Sequence, residues 1–597
     1  MRFSSWYFLV GSVSAAAVED PPFFATRNDL QPRQQPGVAS STNFLRRAYH
    51  GSAVVGNYVY IDGGAFSYMN GGSPQYEFST TTLSIDLSTS WTNSSVVINS
   101  NSKPDGVPNL DDGSLWYDAK NNVLYAGFSG AAPRFNAPSP YPLGLWSFAP
   151  DGQGGGTWSA ASTETSQLKN SFTRPYQGLS TWGGEGAITI GGYISSLTSP
   201  ATSNLTVFKP VPGVVSFNMT TGRFANSSAS GYNFNGTAER GVLHYVPSFG
   251  PEGIYILLGG DISGLDRYSA GEDKVSFANL TIYDPASGNF YNQTATGNIP
   301  QGRIEFCATG INSTNQTYEI FIYAGWGSNL GTPAVPFDEI YILTLPAFEW
   351  IKVNYNPASP RHGHTCHTVG NRQMLVIGGV DSLADSTSSV APTLDKATFA
   401  TKDQFTQGLA IFDMSSLTWA DQYDANASVY EQSDLVKNYY ASNSRDPANW
   451  GSPALQTLFQ TTHFTAPTNT SSSSGSSTST PPASSSSSSN TGAIAGGVVG
   501  GVLGLALLAG LGWFFYRRQH RKQNTAELPA DQAMSTPPPA FGGMINEYKY
   551  QPQNQMMSEA PAEPIAYQMP TPSDHGATAQ SHPFATELEA GQQHELP

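Results

Sequence analysis

Charged residues and cysteines are scarce in this chain of 597 residues. Only 12% of its residues are charged, which is about half of the ~25% usual in soluble domains. Two cysteines exclude a small disulfide-dense scaffold, so the core must come from burial of apolar side chains. With 28 basic and 44 acidic residues, the net charge is -16. This charge argues against nucleic acid or an anionic membrane surface as the partner, because both would repel the chain.

Glycine, proline and aromatic residues are abundant instead. The sequence has 60 Gly, 42 Pro, 29 Tyr and 31 Phe, and these residue types favour strands and turns over helices. The long N-terminal part of the chain is therefore predicted to be all-β.

A strand-like run that ends in Gly-Gly, or in a near variant, recurs every 53 to 68 residues or so. The six copies are Tyr58–Gly64, Val123–Gly130, Ala187–Gly192, Ile254–Gly260, Ile320–Gly327 and Met374–Gly379. Four copies keep both glycines, as Gly63 and Gly64, Gly191 and Gly192, Gly259 and Gly260, and Gly378 and Gly379; the second has Phe128-Ser129-Gly130 and the fifth Gly325-Trp326-Gly327. Paired glycines permit positive φ angles and a close approach of neighbouring backbones.

Each copy is followed by a second strand and then by an aromatic residue. These aromatic residues are Trp91, Trp158, Phe224, Phe290, Trp350 and Trp419. Apolar residues that alternate along the strands would line one buried face, and the aromatic side chain would fill the gap between neighbouring sheets. The unit predicted from this order has four short strands that pack radially.

This pattern resembles the kelch repeat of the kelch and galactose oxidase-like β-propellers, in which a strand with Arg and His leads through Gly-Gly to a Tyr-Asp strand and a Trp. The sixth copy fits best, with Arg361, His362, His364, Gly378, Gly379, Asp413 and Trp419. The resemblance covers about residues 44–425. It implies a kelch-type β-propeller of six blades, or of seven if Tyr430–Phe464 forms a further blade rather than a packed strap.

The two cysteines occupy similar places in this register. Cys307 and Cys366 fall on the first strands of the fifth and sixth blades, which are neighbours. We therefore predict a disulfide between adjacent blades, with two buried thiols as the alternative.

Two apolar runs predict secretion and membrane insertion. Residues 1–17 combine Arg2, a short apolar run and Ala15-Ala16-Ala17, which is typical of a cleaved signal peptide. Residues 493–516 contain no charge and would cover roughly 36 Å as a helix, against a hydrocarbon core of about 30 Å. Basic residues follow at once, at Arg517, Arg518, Arg521 and Lys522. This flank predicts a single-pass type I protein of the plasma membrane with a cytosolic C-terminal side.

Every N-x-S/T sequon precedes the predicted membrane helix, which agrees with a lumenal or extracellular N-terminal part. The sequon asparagines, all predicted to be glycosylated, are Asn93, Asn204, Asn218, Asn226, Asn235, Asn279, Asn292, Asn312, Asn315, Asn426 and Asn469. Within the helix, Gly496, Gly500 and Gly504 share one face. That spacing allows a helix-mediated homodimer, although glycine is common in membrane helices in any case.

The predicted organisation has seven parts. In chain order they are a signal peptide (1–17), an N-terminal segment (18–43), the kelch propeller (44–425), a strap (426–464), a Ser/Thr-rich stalk (465–491), the membrane helix (493–516) and a disordered cytoplasmic tail (517–597). This combination resembles that of fungal kelch-repeat membrane proteins.

No catalytic, cofactor or metal site is predicted. His362, His364 and His367, beside Cys366, have strand spacing that would suit a metal, but the kelch pattern already expects Arg and His there. The copper ligands and Tyr–Cys crosslink of galactose oxidase have no recognisable counterpart. Four acids, Asp62, Glu185, Asp261 and Asp338, are candidates for a glycosidase pair but lie at predicted strand ends, where acids more often cap turns.

Two functions remain. The first is a cell-surface module whose propeller face binds a protein or glycan partner, as the resemblance to kelch propellers implies. The second is a carbohydrate-active enzyme or a galactose oxidase-like oxidase that uses the same face. Similarity of fold alone does not decide between them.

Overall fold

The computed structural model describes residues 39–136, 139–161, 168, 171–266, 274–328, 334, 337–384 and 393–464. All of them belong to the first of two units of the chain, Met1–Ser476. The predicted signal peptide, stalk, membrane helix and tail lie outside the described residues. Within the described ranges, no helix is long and apolar enough to cross a bilayer.

Short strands make up most of the described residues. The first group is β1 (Phe44–Ala48), β2 (Gly51–Val55), β3 (Tyr58–Asp62), β4 (Ala65–Asn70), β5 (Ser73–Phe78), β6 (Thr81–Asp86), β7 (Trp91–Thr92) and β8 (Ile98–Ser102). The second is β9 (Leu115–Asp118), β10 (Val123–Ala126), β11 (Trp146–Pro150) and β12 (Gly156–Ala160). The third is β13 (Leu179–Gly183), β14 (Gly186–Ile190), β15 (Tyr193–Ile194), β16 (Lys209–Pro210), β17 (Val214–Asn218) and β18 (Arg223–Ser227), with a 3-10 turn at Pro200–Thr202.

The remaining elements continue in the same way. The fourth group is β19 (Val242–Val246), β20 (Ile254–Leu258), β21 (Asn279–Asp284) and β22 (Asn289–Thr294). The fifth is β23 (Thr296–Gly297), β24 (Cys307–Asn312), β25 (Tyr318–Tyr323), β26 (Ile340–Leu345) and β27 (Glu349–Lys352). The sixth is β28 (Arg361–His362), β29 (Thr365–Val369), β30 (Gln373–Ile377), β31 (Val380–Asp381), helix α1 (Thr393–Ala400), a 3-10 turn at Thr406–Gly408, β32 (Leu409–Asp413), β33 (Thr418–Ala420) and β34 (Gln422–Tyr423). Helices α2 (Asp434–Ser442) and α3 (Pro453–Gln460) follow.

The described strands build six four-stranded antiparallel blades. Their orders are β2-β3-β6-β8, β9-β10-β11-β12, β13-β14-β17-β18, β19-β20-β21-β22, β24-β25-β26-β27 and β29-β30-β32-β33, and β23 adds a short parallel edge to the fifth. The first strand of each blade contacts the first strands of the two neighbouring blades, and β29 of the last blade contacts β2 of the first. The six sheets therefore close into a ring, which is a six-bladed propeller.

The second residue of each glycine doublet ties its blade to the next one. Its backbone N–H donates to a carbonyl oxygen in the following blade, and all six bonds are present: Gly64 to Leu110, Gly130 to Pro175, Gly192 to Ala238, Gly260 to Arg303, Gly325 to Arg361 and Gly379 to Arg47. Both members of the doublet have positive φ in every blade except the second, where only Gly130 does; at Gly191 and Gly192 the angles are 65° and 90°. A side chain at Gly191 would overlap the backbone of Ala238. Glycine is thus required at position 191 for two reasons, the positive φ angle and the close approach of the Ala238 backbone.

The fifth repeat is shifted relative to the sequence prediction. Its doublet is Ala324-Gly325, with φ angles of 56° and 103°, rather than Gly325-Trp326-Gly327. Trp326 instead takes the position after the doublet, where it bridges to Ile304. The prediction was wrong because glycine content alone cannot show which residue receives the positive φ, and here an alanine does.

Most of the late aromatic side chains fill the gap to the preceding blade, as predicted. Trp350 is fully buried, and its indole N–H donates to the Phe277 carbonyl oxygen at 3.0 Å. Phe224 stacks on Phe128 at 5.0 Å between ring centroids, and Trp419 packs on Tyr323 at the same distance.

Trp91 and Phe290 also lie at the junction with the preceding blade. Phe290 packs on Tyr283 of its own sheet, with ring centroids 4.8 Å apart, and on the apolar core shared by the third and fourth blades. Trp91 contacts Tyr423 at 5.2 Å, where β34 pairs with β7 and joins the end of the sixth blade to the first blade.

Residues 426–464 form helices rather than a further blade. Ser433 and Ser452 cap α2 and α3 by accepting hydrogen bonds from Val436 N and Leu455 N. Leu455 is fully buried in the apolar core shared by the fourth and fifth blades, and Val436 is buried in the core between the fifth and sixth. The segment is a strap on the outside of the ring, so the alternative of seven blades is wrong.

The predicted disulfide is present. Cys307 on β24 and Cys366 on β29 are bonded, with their Cα atoms 5.7 Å apart. The bond links the first strands of the fifth and sixth blades.

We expect Gly191→Ala to destabilise the propeller more than Gly288→Ala does. Both glycines have similar positive φ angles, 65° and 72°, but Gly288 has open space where its Cβ would lie. Each substitution should cost roughly 1–2 kcal/mol for the left-handed conformation, and Gly191→Ala roughly 1–3 kcal/mol more for its overlap with the next blade. Chemical denaturation measures both, and equal losses would show that the doublet does not hold neighbouring blades together.

We expect Cys307→Ala with Cys366→Ala to lower the free energy of unfolding by about 2–4 kcal/mol, because the bridge restricts the unfolded chain over a separation of 59 residues. The paired substitution avoids a leftover free thiol. Unfolding of the oxidised protein, the reduced protein and the double variant measures the effect. Coincident unfolding curves for the three samples would show that the disulfide does not stabilise the protein.

Candidate functional site

One residue per blade has a left-handed backbone just before the innermost strand. These six residues, called the axial mouth here, are Tyr49, Asp112, Gln177, Arg240, Glu305 and Gly363, with φ angles between 49° and 67°. Backbone hydrogen bonds of 2.7 to 3.0 Å join five of the six pairs of neighbouring mouth residues, as from Asp112 N to Tyr49 O and from Gly363 N to Glu305 O. These bonds hold six equivalent positions around the propeller axis.

Two cavities meet at the axial mouth. The inner one, of about 240 Å³, lies along the propeller axis and is lined by the mouth and by residues of the first strands. The outer one, of about 150 Å³, is lined by Arg134, Tyr176, Trp326, His362, Asp395 and Thr398 as well as by mouth residues. Tyr49, Gln177 and Glu305 line both cavities. The mouth is therefore the wall that the two cavities share.

Arg134 is the main support of the outer cavity. Its Nε donates to Asp111 Oδ2 at 2.9 Å and its Nη1 to Asp395 Oδ1 at 3.0 Å. The guanidinium carbon lies 3.4 Å from the centroid of the Tyr49 ring, which is a close cation–π contact. Arg134 thus joins a second-blade loop, helix α1 of the sixth blade and the mouth.

Gln177 connects two carboxyl groups across the mouth. Its Nε2 donates to Asp112 Oδ2 at 3.1 Å and to Glu305 Oε1 at 3.4 Å, and its Oε1 accepts from the Tyr193 hydroxyl at 3.0 Å. Arg240 lies beside them and pairs with Asp261 Oδ2 at 2.5 Å, with Glu305 farther away at 3.8 Å. Glu305 is one-tenth exposed, and its Oε2 has no hydrogen-bond partner in the described part of the chain.

Burial makes the mouth acids poor at holding a charge. It raises the pKa of Asp112 to about 7, with Glu305 and Asp111 raising it further and Arg134 lowering it. Burial also raises the pKa of Glu305, against the lowering effect of Arg240 and Arg134. The pKa of His362 falls to about 3 because of burial and the nearby arginines, so His362 is neutral. Asp112 is therefore a group of the mouth that exchanges protons near neutral pH.

The three histidines weighed as a metal candidate lie apart. His362 and His364 lie on either side of Gly363, whose positive φ turns the chain, so they do not share one strand face as predicted. His362 stacks on Trp326 and bonds Ser382 at 2.7 Å, His364 lines the inner cavity, and His367 bonds Ser52 of the first blade at 2.7 Å. Among the described residues, no three metal-ligating side chains come together.

The four predicted acids have different places. Asp62 pairs with Lys103 at 2.8 Å, Glu185 is exposed beside Lys120, and Asp338 accepts from the Tyr323 hydroxyl at 3.0 Å. Only Asp261 reaches the site, as the partner of Arg240. No two of these four acids face each other as a pair in the contacts of the described residues. Both cysteines are in the disulfide, which leaves neither for the Tyr–Cys crosslink of an oxidase.

Sequence reasoning missed the axial mouth. Its six residues share no residue type, and only their distance from the glycine doublets relates them. Each mouth residue lies two positions after the carbonyl that a doublet binds, as Gln177 does after Pro175. Alignment of the repeats on these acceptor positions is the signal that would have found them.

The sequon asparagines differ in access. Asn204, Asn218, Asn226, Asn279, Asn292, Asn315 and Asn426 are exposed, Asn235 and Asn312 are half-buried, and Asn469 lies outside the described residues. Asn93 is 5% exposed, and its amide donates to Leu409 O and to Asp421 Oδ1. A glycan on Asn93 would have to displace one of these contacts.

Three comparisons relate this chain to known proteins. No family model matches the chain. A kelch repeat-containing protein of Arthroderma benhamiae is 26% identical over 455 residues, which is 69% of this chain; the chain spans only 61% of that relative. A solved structure described as the structure of YjhT has a TM-score of 0.41 and 12% identity, over 63% of this chain and 97% of that one. The relative and the closed ring of six four-stranded sheets support a kelch-type β-propeller.

We expect Arg134→Met to destabilise the protein by roughly 3–5 kcal/mol, because buried Asp111 would lose the guanidinium that donates to its Oδ2 and lies beside it. Lys120→Met is the control, since the Lys120–Glu185 pair is 59% and 63% exposed and should contribute at most about 1 kcal/mol. Thermal unfolding compares the two. Similar melting temperatures for both variants would show that Arg134 does not support the site.

Proposed function

We propose that this chain is a single-pass cell-surface protein whose kelch propeller binds a glycan at the axial mouth. The proposal has two parts, the ligand site and the location. The ligand site rests on the described residues, and the location rests on the sequence.

The left-handed backbone of the mouth residues is the observation that carries the ligand site. Glycine adopts this conformation without strain, and the sixth position is indeed Gly363. The other five positions have Tyr49, Asp112, Gln177, Arg240 and Glu305 instead, each at a conformational cost of roughly 1–2 kcal/mol. Strain kept at several equivalent positions around one cavity is typical of a functional site.

The size and lining of the cavities favour a saccharide unit. Volumes of about 240 and 150 Å³ are below the roughly 300–1,000 Å³ of sites for drug-sized ligands. Carboxylate, amide and guanidinium groups alternate around the mouth, and Trp326 and Tyr176 supply aromatic surface in the outer cavity. Hydroxyl groups of a sugar match such a set of donors and acceptors, whereas a flat protein partner would not enter it.

The proposed location is the plasma membrane, with the propeller outside the cell. The disulfide agrees with an oxidising compartment, and most of the described sequon asparagines are accessible. The apolar run at 493–516 would anchor the chain, and the Ser/Thr-rich residues 465–491 would hold the propeller away from the bilayer.

A carbohydrate-active enzyme is the second candidate, and the pair of carboxyl groups at the mouth favours it. Asp112 and Glu305 contact the same amide nitrogen of Gln177, and burial raises both pKa values. Such a pair can act as acid and base on a bound sugar. Release of product from the glycans that bind, and its loss in Asp112→Asn, would establish an enzyme rather than a binding module.

We expect Gln177→Gly to abolish glycan binding without unfolding the protein. The substitution removes the side chain between Asp112 and Glu305, while glycine suits the φ of 54° at this position. A glycan array and calorimetry with the full-length protein in detergent measure binding, and thermal unfolding measures stability.

Gln316→Gly is the matched control for this experiment. Gln316 has nearly the same φ, 58°, but is exposed in the turn between β24 and β25. Binding should persist in this variant. Binding that survives Gln177→Gly, or a full-length protein that binds a protein partner and no glycan, would contradict the proposed site.

A further inference from the structure

We infer that the sugar held at the axial mouth carries a cationic amine next to Glu305 and Asp112, so that the ligand class is an amino sugar. This inference rests on the proposed glycan binding and specifies the chemistry of the same site. It follows from the charge balance of the two cavities and from one unused carboxylate oxygen.

The two arginines at the site are already neutralised by acids. Arg134 donates to Asp111 and Asp395 at 2.9 and 3.0 Å, and Arg240 pairs with Asp261 at 2.5 Å. Asp111 and Asp261 are buried, 2% and 0% exposed, and lie behind the arginines. They therefore balance the positive charge that the arginines bring to the cavities.

Among the described residues, no cationic side chain lies within hydrogen-bond distance of Asp112 or Glu305. The nearest arginine nitrogen to Glu305 belongs to Arg240 and lies 3.8 Å away, while Asp112 is held by the neutral amide of Gln177. The histidines that line the cavities, among them His362, are neutral. The part of the site that faces a ligand is therefore acidic.

Glu305 Oε2 marks where the ligand would donate. The side chain is nine-tenths buried and lines both cavities, yet this oxygen has no hydrogen-bond donor in the described ranges. A buried acceptor without a donor costs free energy, and an ammonium group of a ligand would satisfy it with a charge-assisted hydrogen bond. An acidic sugar would instead place a second negative charge beside Glu305.

The test compares three sugars that share the glucopyranose ring: glucosamine, glucose and glucuronate. Calorimetry at neutral pH with the full-length protein in detergent measures their affinities. We expect glucosamine to bind at least about tenfold more tightly than glucose, which corresponds to ~1.4 kcal/mol, and glucuronate to bind more weakly than glucose. Added salt should reduce the preference for glucosamine because it screens the charges. Ethylamine, which has the ammonium group without the ring, should bind more weakly than glucosamine.

Glu305→Gln and Glu185→Gln make the same chemical change at the mouth and at an exposed site far from it. Glu305→Gln should remove the preference for glucosamine over glucose, whereas Glu185→Gln, with its side chain 63% exposed beside Lys120, should retain it. Near-ultraviolet circular dichroism checks that both variants are folded.

Each outcome separates the two proposals. The proposal of a cationic ligand is overturned if glucose and glucosamine bind equally, or if the preference for glucosamine survives Glu305→Gln. Glycan binding itself is not contradicted by either result. If ethylamine binds as tightly as glucosamine, the site recognises an amine, and the proposal that the ligand is a sugar is overturned. If none of the three sugars binds, both proposals are overturned.

Discussion

One backbone hydrogen bond, repeated six times, holds this propeller together. The N–H of the second doublet residue in each blade donates to a carbonyl in the next blade, and the sixth bond returns from Gly379 to Arg47. Two neighbouring backbones can meet this closely only where no Cβ intervenes and the chain tolerates positive φ. The packed strands, the aromatic side chains between blades and the disulfide all depend on the spacing that this bond sets.

The same bond determines where the ligand site forms. The acceptor carbonyl lies two residues before the mouth residue in each blade, so closing the ring also brings six equivalent positions to the axis. A left-handed backbone at these positions turns the chain into the innermost strand. The repeats form the scaffold, and the blades differ in the type of side chain that each contributes to the mouth.

Buried charge is the second constraint on the site. Arg134 and Arg240 are stable inside the protein because carboxyl groups lie within hydrogen-bond distance. Glu305 and Asp112 have only an amide between them, and burial raises their pKa values in consequence. A small, polar site of this kind is the basis of the proposed saccharide-binding module. The propeller fold by itself is compatible with any of these functions.

The sequence by itself determined the all-β class and the repeat, because glycine doublets and apolar strands recur at similar intervals. The register of the repeat predicted a disulfide between adjacent blades but left two buried thiols as the alternative. Sequence reasoning misplaced the doublet at Ala324-Gly325, since φ is set by the neighbouring blade rather than by residue type. It left the choice between six blades and seven open, and misread the histidines on either side of Gly363. Only the tertiary structure brought Tyr49, Gln177 and Glu305 to one wall, because residues more than a hundred positions apart meet only when the ring closes.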